Sequence, residues 1–334
     1  MTKLLLPLVL SLTLGCVKKI EEGGGTLYKD DTGNAGGGDS SAVWDDNRKA
    51  MSGNFSSAYT TGTDLYVVTT EGQSWHYDGD LWSPHAIATF EDETQLTGLW
   101  GSGSGATLRM VAVGHDGTII EWSGGEWKDK PEDVLESAAF EAIDGQDAAN
   151  LIAVGGAGAF SNKGGAWEPM TTSKPKFNDV WYNGTTALAV GDEGGLGWYG
   201  RDPADFVDPE EDNGWFLEEI EDVDKHLYGV DGTEFNNIWV VGQEGTVLRW
   251  DGVIWRSFDL GTKVNLWSVW TPSRDVAYVV GTNGEAYRIQ SSDGEVTRLP
   301  TGISNVLYFV TGTTEANVWA TGARGVALSY GWSG

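Results

Sequence analysis

The chain has 334 residues, with 49 acidic against 21 basic side chains and a formal charge of −28. So acidic a balance, with no Lys/Arg cluster, argues against nucleic acid as a partner, because phosphate recognition depends on grouped cations. With 17 Trp, 48 Gly and 40% apolar residues the chain is not disordered, and the composition favours many short strands joined by tight turns.

The first element lies at the N-terminus. Lys3 precedes an apolar stretch over residues 4–14 that is too short to span a membrane, and Thr13-Leu14-Gly15-Cys16 closes it. Cys16 is the only cysteine, so the chain has no intramolecular disulfide and no Cys-based zinc site. The tetrad resembles a bacterial lipoprotein box, in which the cysteine after a small residue is lipidated and becomes the new N-terminus. Thr13 stands where that motif usually has an aliphatic residue. The resemblance implies a signal peptide over residues 1–15 and membrane attachment through lipid on Cys16. Because Val17 follows the cysteine where an Asp would mark inner-membrane retention, it also implies an outer-membrane lipoprotein of the bacterial envelope.

Residues 16–41 carry Gly23-Gly24-Gly25 and Gly36-Gly37-Gly38 among polar residues, the composition of a flexible tether. As a coil it would span on the order of 25–30 Å.

From residue 42 to 334 one unit recurs: an apolar opener, a second strand ending in Gly, an acidic-Gly turn, a third strand, a short turn and Trp. The fifth copy is the clearest, running Leu227-Tyr228-Gly229-Val230, Asn237-Ile238-Trp239-Val240-Val241-Gly242, Glu244-Gly245-Thr246, Val247-Leu248-Arg249-Trp250 and Asp251-Gly252-Val253-Ile254-Trp255. The turn glycine recurs as Gly72, Gly117, Gly158, Gly194, Gly245, Gly284 and Gly325, so there are seven copies with a period that suits a four-stranded unit. Rapid apolar alternation and β-branched runs such as Val276-Ala277-Tyr278-Val279-Val280 predict strands and no long helix. The closing aromatic is Trp82, Trp127, Trp167, Trp215 and Trp255, with Val296 in its place in the sixth copy.

The seventh copy ends too soon after Gly325 for a fourth strand, while Trp44 precedes the first opener, Phe55, by the same spacing that separates Trp255 from Leu266. Ala42-Val43-Trp44 is therefore predicted to complete the last unit, tying the chain ends together and removing an open edge. The fold class expected is all-β: a seven-bladed β-propeller of four-stranded blades, the last blade closed by an N-terminal strand. The repeats resemble WD-type and YVTN-type propellers and the photosystem-assembly-factor-like propellers of bacterial envelope proteins. The likeness covers residues 42–334 and rests on periodicity, since the Gly-His and Trp-Asp signatures of WD proteins are absent. Asp251 and Trp255 are one residue too close for the Asp-box of sialidase-like propellers.

Chemistry is sparse. His76, His85, His115 and His226 are assigned to different copies with no shared offset, which predicts isolated histidines. Gly195-Leu196-Gly197-Trp198-Tyr199-Gly200 fits a nucleotide-binding glycine pattern but spans a hairpin and opens no helix. An acidic insertion in the fourth copy supplies Asp208, Glu210, Glu211 and Asp212 as candidate calcium ligands, against the alternative of a solvated acidic loop. No other cofactor is expected. Four residues after the opener stand Tyr59, Trp100, Trp181 and Trp270, which either stack on a ligand near the channel or pack between blades. No catalytic set emerges. The expectation is a non-enzymatic, envelope-anchored binding or scaffold propeller whose partner is another envelope protein. The alternatives are a glycan-binding propeller and, third, a polysaccharide-acting enzyme.

Overall fold

The computed structural model describes residues 44–49, 53–85, 94–129, 138–163, 165–171, 176–201, 213–218, 220 and 223–331, together with the backbone of 20–22, 28–30 and 210–212. The described strands form seven sheets, each around four antiparallel strands, which in six blades follow one another in the chain and in the seventh include a strand from the N-terminal side. The second strand of each blade has neighbours on both faces and so reads as an unbroken apolar run: all six residues of Asn237–Gly242 and of Val276–Gly281 are buried. The innermost strands pack against one another in sequence, and that of blade 7, Leu307–Thr314, returns to that of blade 1, Phe55–Thr60. The fold is thus a seven-bladed β-propeller.

Seven apolar clusters hold the ring, one at each junction between successive blades. Trp215, Trp239, Trp255 and Trp319 are among the fully buried side chains at these junctions. Val296 is also fully buried and pairs with Ile289 in the strand position that Trp255 holds in blade 5.

The seam lies where the repeat arithmetic puts it, with Trp44 in the closing strand and Ala42 and Val43 outside the described residues. Trp44–Asp46 pairs antiparallel with Ala327–Tyr330, with Trp44 opposite Tyr330 and Asp46 opposite Leu328. Asn47 then joins the last blade to the first. Its backbone N–H donates to Ala327 O at 2.8 Å, and its side chain donates to Ser329 Oγ at 2.9 Å. Its carbonyl accepts the indole N–H of Trp82, from the outer strand of blade 1, at 2.8 Å.

Short extra strands lie on the outer edges of three blades. Residues 17–41 do not read as strand, yet Ile20–Glu22 pairs parallel with Trp255–Ser257 on the outer edge of blade 5, and Tyr28–Asp30 pairs parallel with Glu295–Arg298 on that of blade 6. Both edges offer unpaired backbone groups that such pairing satisfies. Cys16 and the remainder of that segment lie outside the described residues. In the acidic insertion, Glu210–Asp212 pairs with Trp215–Glu218 through an Asn213-Gly214 turn in which both residues have positive φ. Glu210, Glu211 and Asp212 thus form a fifth, outermost strand of blade 4, with only their backbone described, and Asp208 lies outside the described residues.

The recurrent turn glycine has a double constraint. Gly245 has φ of 78°, and an added Cβ would run into the Thr262 carbonyl of the loop that enters the next blade. Its N–H also donates to Val264 O at 2.8 Å, as that of Gly117 does to Ala138 O at 2.7 Å, so these two turns clamp the following blade.

Candidate functional site

Every inner strand carries a register shift between its opener and the second residue after it, as between Leu227 and Gly229 or Leu266 and Ser268. The shift is a β-bulge, which inserts one residue and re-aims the side chains around it. Alternation counted from the opener therefore fails beyond this point. The buried apolar position is the third after the opener, as in Leu99, Ile143, Val180 and Val230.

The second and fourth residues after the opener reach the next blade. Ser57 Oγ accepts the Leu99 N–H at 3.1 Å, Asp179 accepts the Val230 N–H at 2.8 Å, and Ser268 Oγ accepts the Val310 N–H at 3.2 Å. Asp144 accepts the Tyr182 N–H at 2.6 Å, and Asp231 accepts both the backbone N–H (2.6 Å) and the hydroxyl (2.7 Å) of Thr271.

The four aromatic candidates occupy the same stitching row. Trp100 and Trp181 donate their indole N–H to the carbonyls of Gly145 (2.8 Å) and Gly232 (2.6 Å) in the following blade. Tyr59 and Trp270 lie over Gly101 and Gly312, where an added Cβ would strike the ring. Trp100 and Trp181 are buried, whereas Tyr59 and Trp270 keep a half-buried ring. Tyr59, Trp100 and Trp270 line the central cavity; Trp181 does not.

That cavity occupies the ring axis, with a volume of about 840 Å³. Its mouth, on the side of the acidic-Gly turns, is formed by the residue just after each opener: Ser56, Thr97, Glu141, Asn178, Tyr228, Trp267 and Tyr308. Tyr228 and Trp267 stack with centroids 4.5 Å apart, and Tyr308 meets Trp267 edge-on at 5.9 Å. All three are half-buried. This aromatic rim was not anticipated from the sequence.

Beside the rim, Asp192 gathers Lys176 Nζ (2.6 Å), His226 Nδ1 (3.0 Å) and Asn178 Nδ2 (3.1 Å). Burial alone would raise its carboxyl, but the bonds from Lys176 and Asn178 outweigh burial and hold it below the ordinary range. Glu141 goes the other way, since burial pushes it up and His115, 3.8 Å away, only partly offsets that.

Deeper in the channel, burial raises Asp144 to about 8, Asp179 to about 7 and Asp231 to about 6, against the hydrogen bonds they accept. Blades 3 to 5 thus give the channel an acidic wall. Blades 6, 7 and 1 face it with Trp267, Trp270, Tyr308, Phe309 and Tyr59.

His76 and His85, expected in different copies, sit on neighbouring strands of blade 1 with ring centroids 5.3 Å apart. They are sandwiched between Tyr66 and Trp122, and His76 bonds Asp64 at 2.7 Å. Burial lowers His85 to about 4. Among the described residues no three His, Cys, Asp or Glu side chains are grouped for a metal ion. Glu71, Asp116, Glu193 and Glu244, the turn acids, do not line the cavity.

No family model and no curated protein matches the sequence. Solved structures do. YCF48 bound to a D1 peptide superposes with a TM-score of 0.69 at 12% identity, over 86% of this chain and 96% of that one. YCF48 from Cyanidioschyzon merolae gives 0.66 at 14%, covering 86% and 99%. A catalytically inactive virginiamycin B lyase from Staphylococcus aureus with quinupristin gives 0.70 at 9%, over 86% and 99%. The WD40 propeller domain of Doa1 gives 0.68 at 11%, over 85% and 94%. The shared feature is the propeller fold. At these identities the likeness extends to the fold alone.

Proposed function

We propose that this chain is a non-enzymatic binding propeller, anchored at the bacterial envelope through lipid on Cys16, that receives a segment of a partner protein at its channel mouth. The observation that carries the reading is the half-buried aromatic rim of Tyr228, Trp267 and Tyr308 above an 840 Å³ cavity. Concave sites with aromatic walls and a few polar groups are where ligands bind, and large rigid rings contribute most of the energy in protein interfaces. A YCF48 structure of the same fold carries a D1 peptide, which is consistent with a peptide ligand.

The test is capture from envelope extract on the immobilised full chain, comparing wild type with Trp267→Ala and Tyr308→Ala variants of unchanged thermal stability. A partner retained by the wild type and lost by both variants is the expected result. A partner retained equally by all three would move the interface elsewhere on the ring. Loss of the bound material after deglycosylation of the extract, with the polypeptide itself no longer retained, would favour the glycan alternative. The anchor is tested separately: Cys16→Ser is expected to shift the protein from the membrane fraction to the soluble one.

A further inference from the structure

Acid and ring face each other across the channel at every level. Near the mouth Glu141 lies across from Trp267 and Tyr308; in the middle Asp179 of blade 4 shares its register with Phe309 of blade 7; deeper, Asp144 and Asp231 share theirs with Trp270 and Tyr59. We propose that the channel takes one arginine side chain from the partner segment, its guanidinium lying between the carboxylates of blades 3 to 5 and the rings of blades 6, 7 and 1. The inference rests on the binding function proposed above and adds the chemistry of the group that inserts.

Three observations carry it. First, the described cavity wall has five carboxylates but a single ammonium, Lys176, and Asp192 already holds that at 2.6 Å. Second, the groups bonding Asp144, Asp179 and Asp231 are backbone N–H groups and the Thr271 hydroxyl, and the charges bearing on them come from one another. A carboxyl can accept more than the two or three bonds each makes here, and a cation arriving through the channel favours its ionised form, so each retains capacity for such a donor. Third, the opposing rings suit a planar, weakly hydrated cation that stacks on an aromatic face while its edge bonds carboxylate, which describes guanidinium better than ammonium.

The experiment titrates the full chain calorimetrically with three capped pentapeptides, Gly-Gly-X-Gly-Gly, in which X is arginine, lysine or citrulline. Citrulline keeps the shape of arginine without its charge. The arginine peptide is expected to bind at least about tenfold more tightly than the citrulline peptide. Raising the salt concentration should weaken it, and Asp231→Asn, checked for an unchanged fold by circular dichroism, should weaken it while leaving the citrulline peptide as it was. Equal affinity for arginine and citrulline, or no binding of the arginine peptide, would overturn the proposal. Lysine binding as tightly as arginine would overturn the guanidinium assignment. Partner capture that depends on Trp267 together with indifference to charge would leave the proposed function standing and sink this inference alone. Selective arginine binding without any partner capture would do the reverse.

Discussion

Single residues set the ring's stability by filling the junctions between blades. Trp239 and Trp255 are fully buried, and truncating either to Ala should cost about 3–5 kcal/mol in denaturant unfolding. The acids in the channel affect stability through protonation. Asp144 is raised to about 8 against an ordinary value of 3.8, so the folded chain binds a proton that the unfolded chain has released. Its contribution is therefore fully present below about pH 4 and is lost as the pH climbs towards 8. Melting temperatures measured from pH 5 to 8 should fall more steeply for the wild type than for Asp144→Asn, and parallel curves would contradict the shift. The stitching row has a legible partner code: Tyr59, Trp100, Trp181 and Trp270 face Gly101, Gly145, Gly232 and Gly312, whereas Asp144 and Asp231 face Tyr182 and Thr271. Sequence alignment of the copies singled out these aromatics but passed over Tyr228, Trp267 and Tyr308. The reason is the bulge: one inserted residue reverses alternation, so positions counted from the opener appeared to share its buried face. A bulge leaves no mark in composition. The recurring polar or aromatic residue immediately after each apolar opener was the available signal.

At the scale of elements, turns and seam were readable because each depends on a residue type with few alternatives. All seven turn glycines have positive φ, and in five copies the preceding Asp, Glu, Asn or Arg has positive φ as well. Gly245→Ala should destabilise the ring in thermal melts, since a Cβ there meets both an unfavourable φ and the Thr262 carbonyl. The seam followed from counting, because Trp44 occupies the place that the truncated seventh copy leaves open. Deleting residues 44–46 removes a strand of blade 7, and with it the support for Asn47, which links Ser329 to Trp82. This deletion should lower the melting temperature far more than deletion of residues 31–38. The strands Ile20–Glu22 and Tyr28–Asp30 were not readable, since three residues within a Gly-rich tract show no alternation and their pairing is decided by the free edges of blades 5 and 6.

For the whole molecule, the closed ring turns a repeated sequence into an asymmetric channel. Each blade supplies one residue to the mouth, and the differences between copies further in, acids in blades 3 to 5 and rings in blades 6, 7 and 1, give the lumen two unlike walls. In the proposed binding function the formal net charge of −28 favours approach of a basic partner, and the mouth then selects by stacking and shape. The most direct test of this account is site-specific photo-cross-linking in envelope extract, with the photoreactive side chain placed at Tyr308 on the mouth or at Leu81, an exposed outer hairpin residue of blade 1. The account predicts a discrete protein adduct from position 308 and none from position 81. The same adduct from both positions, or from position 81 alone, would contradict a binding site at the channel mouth.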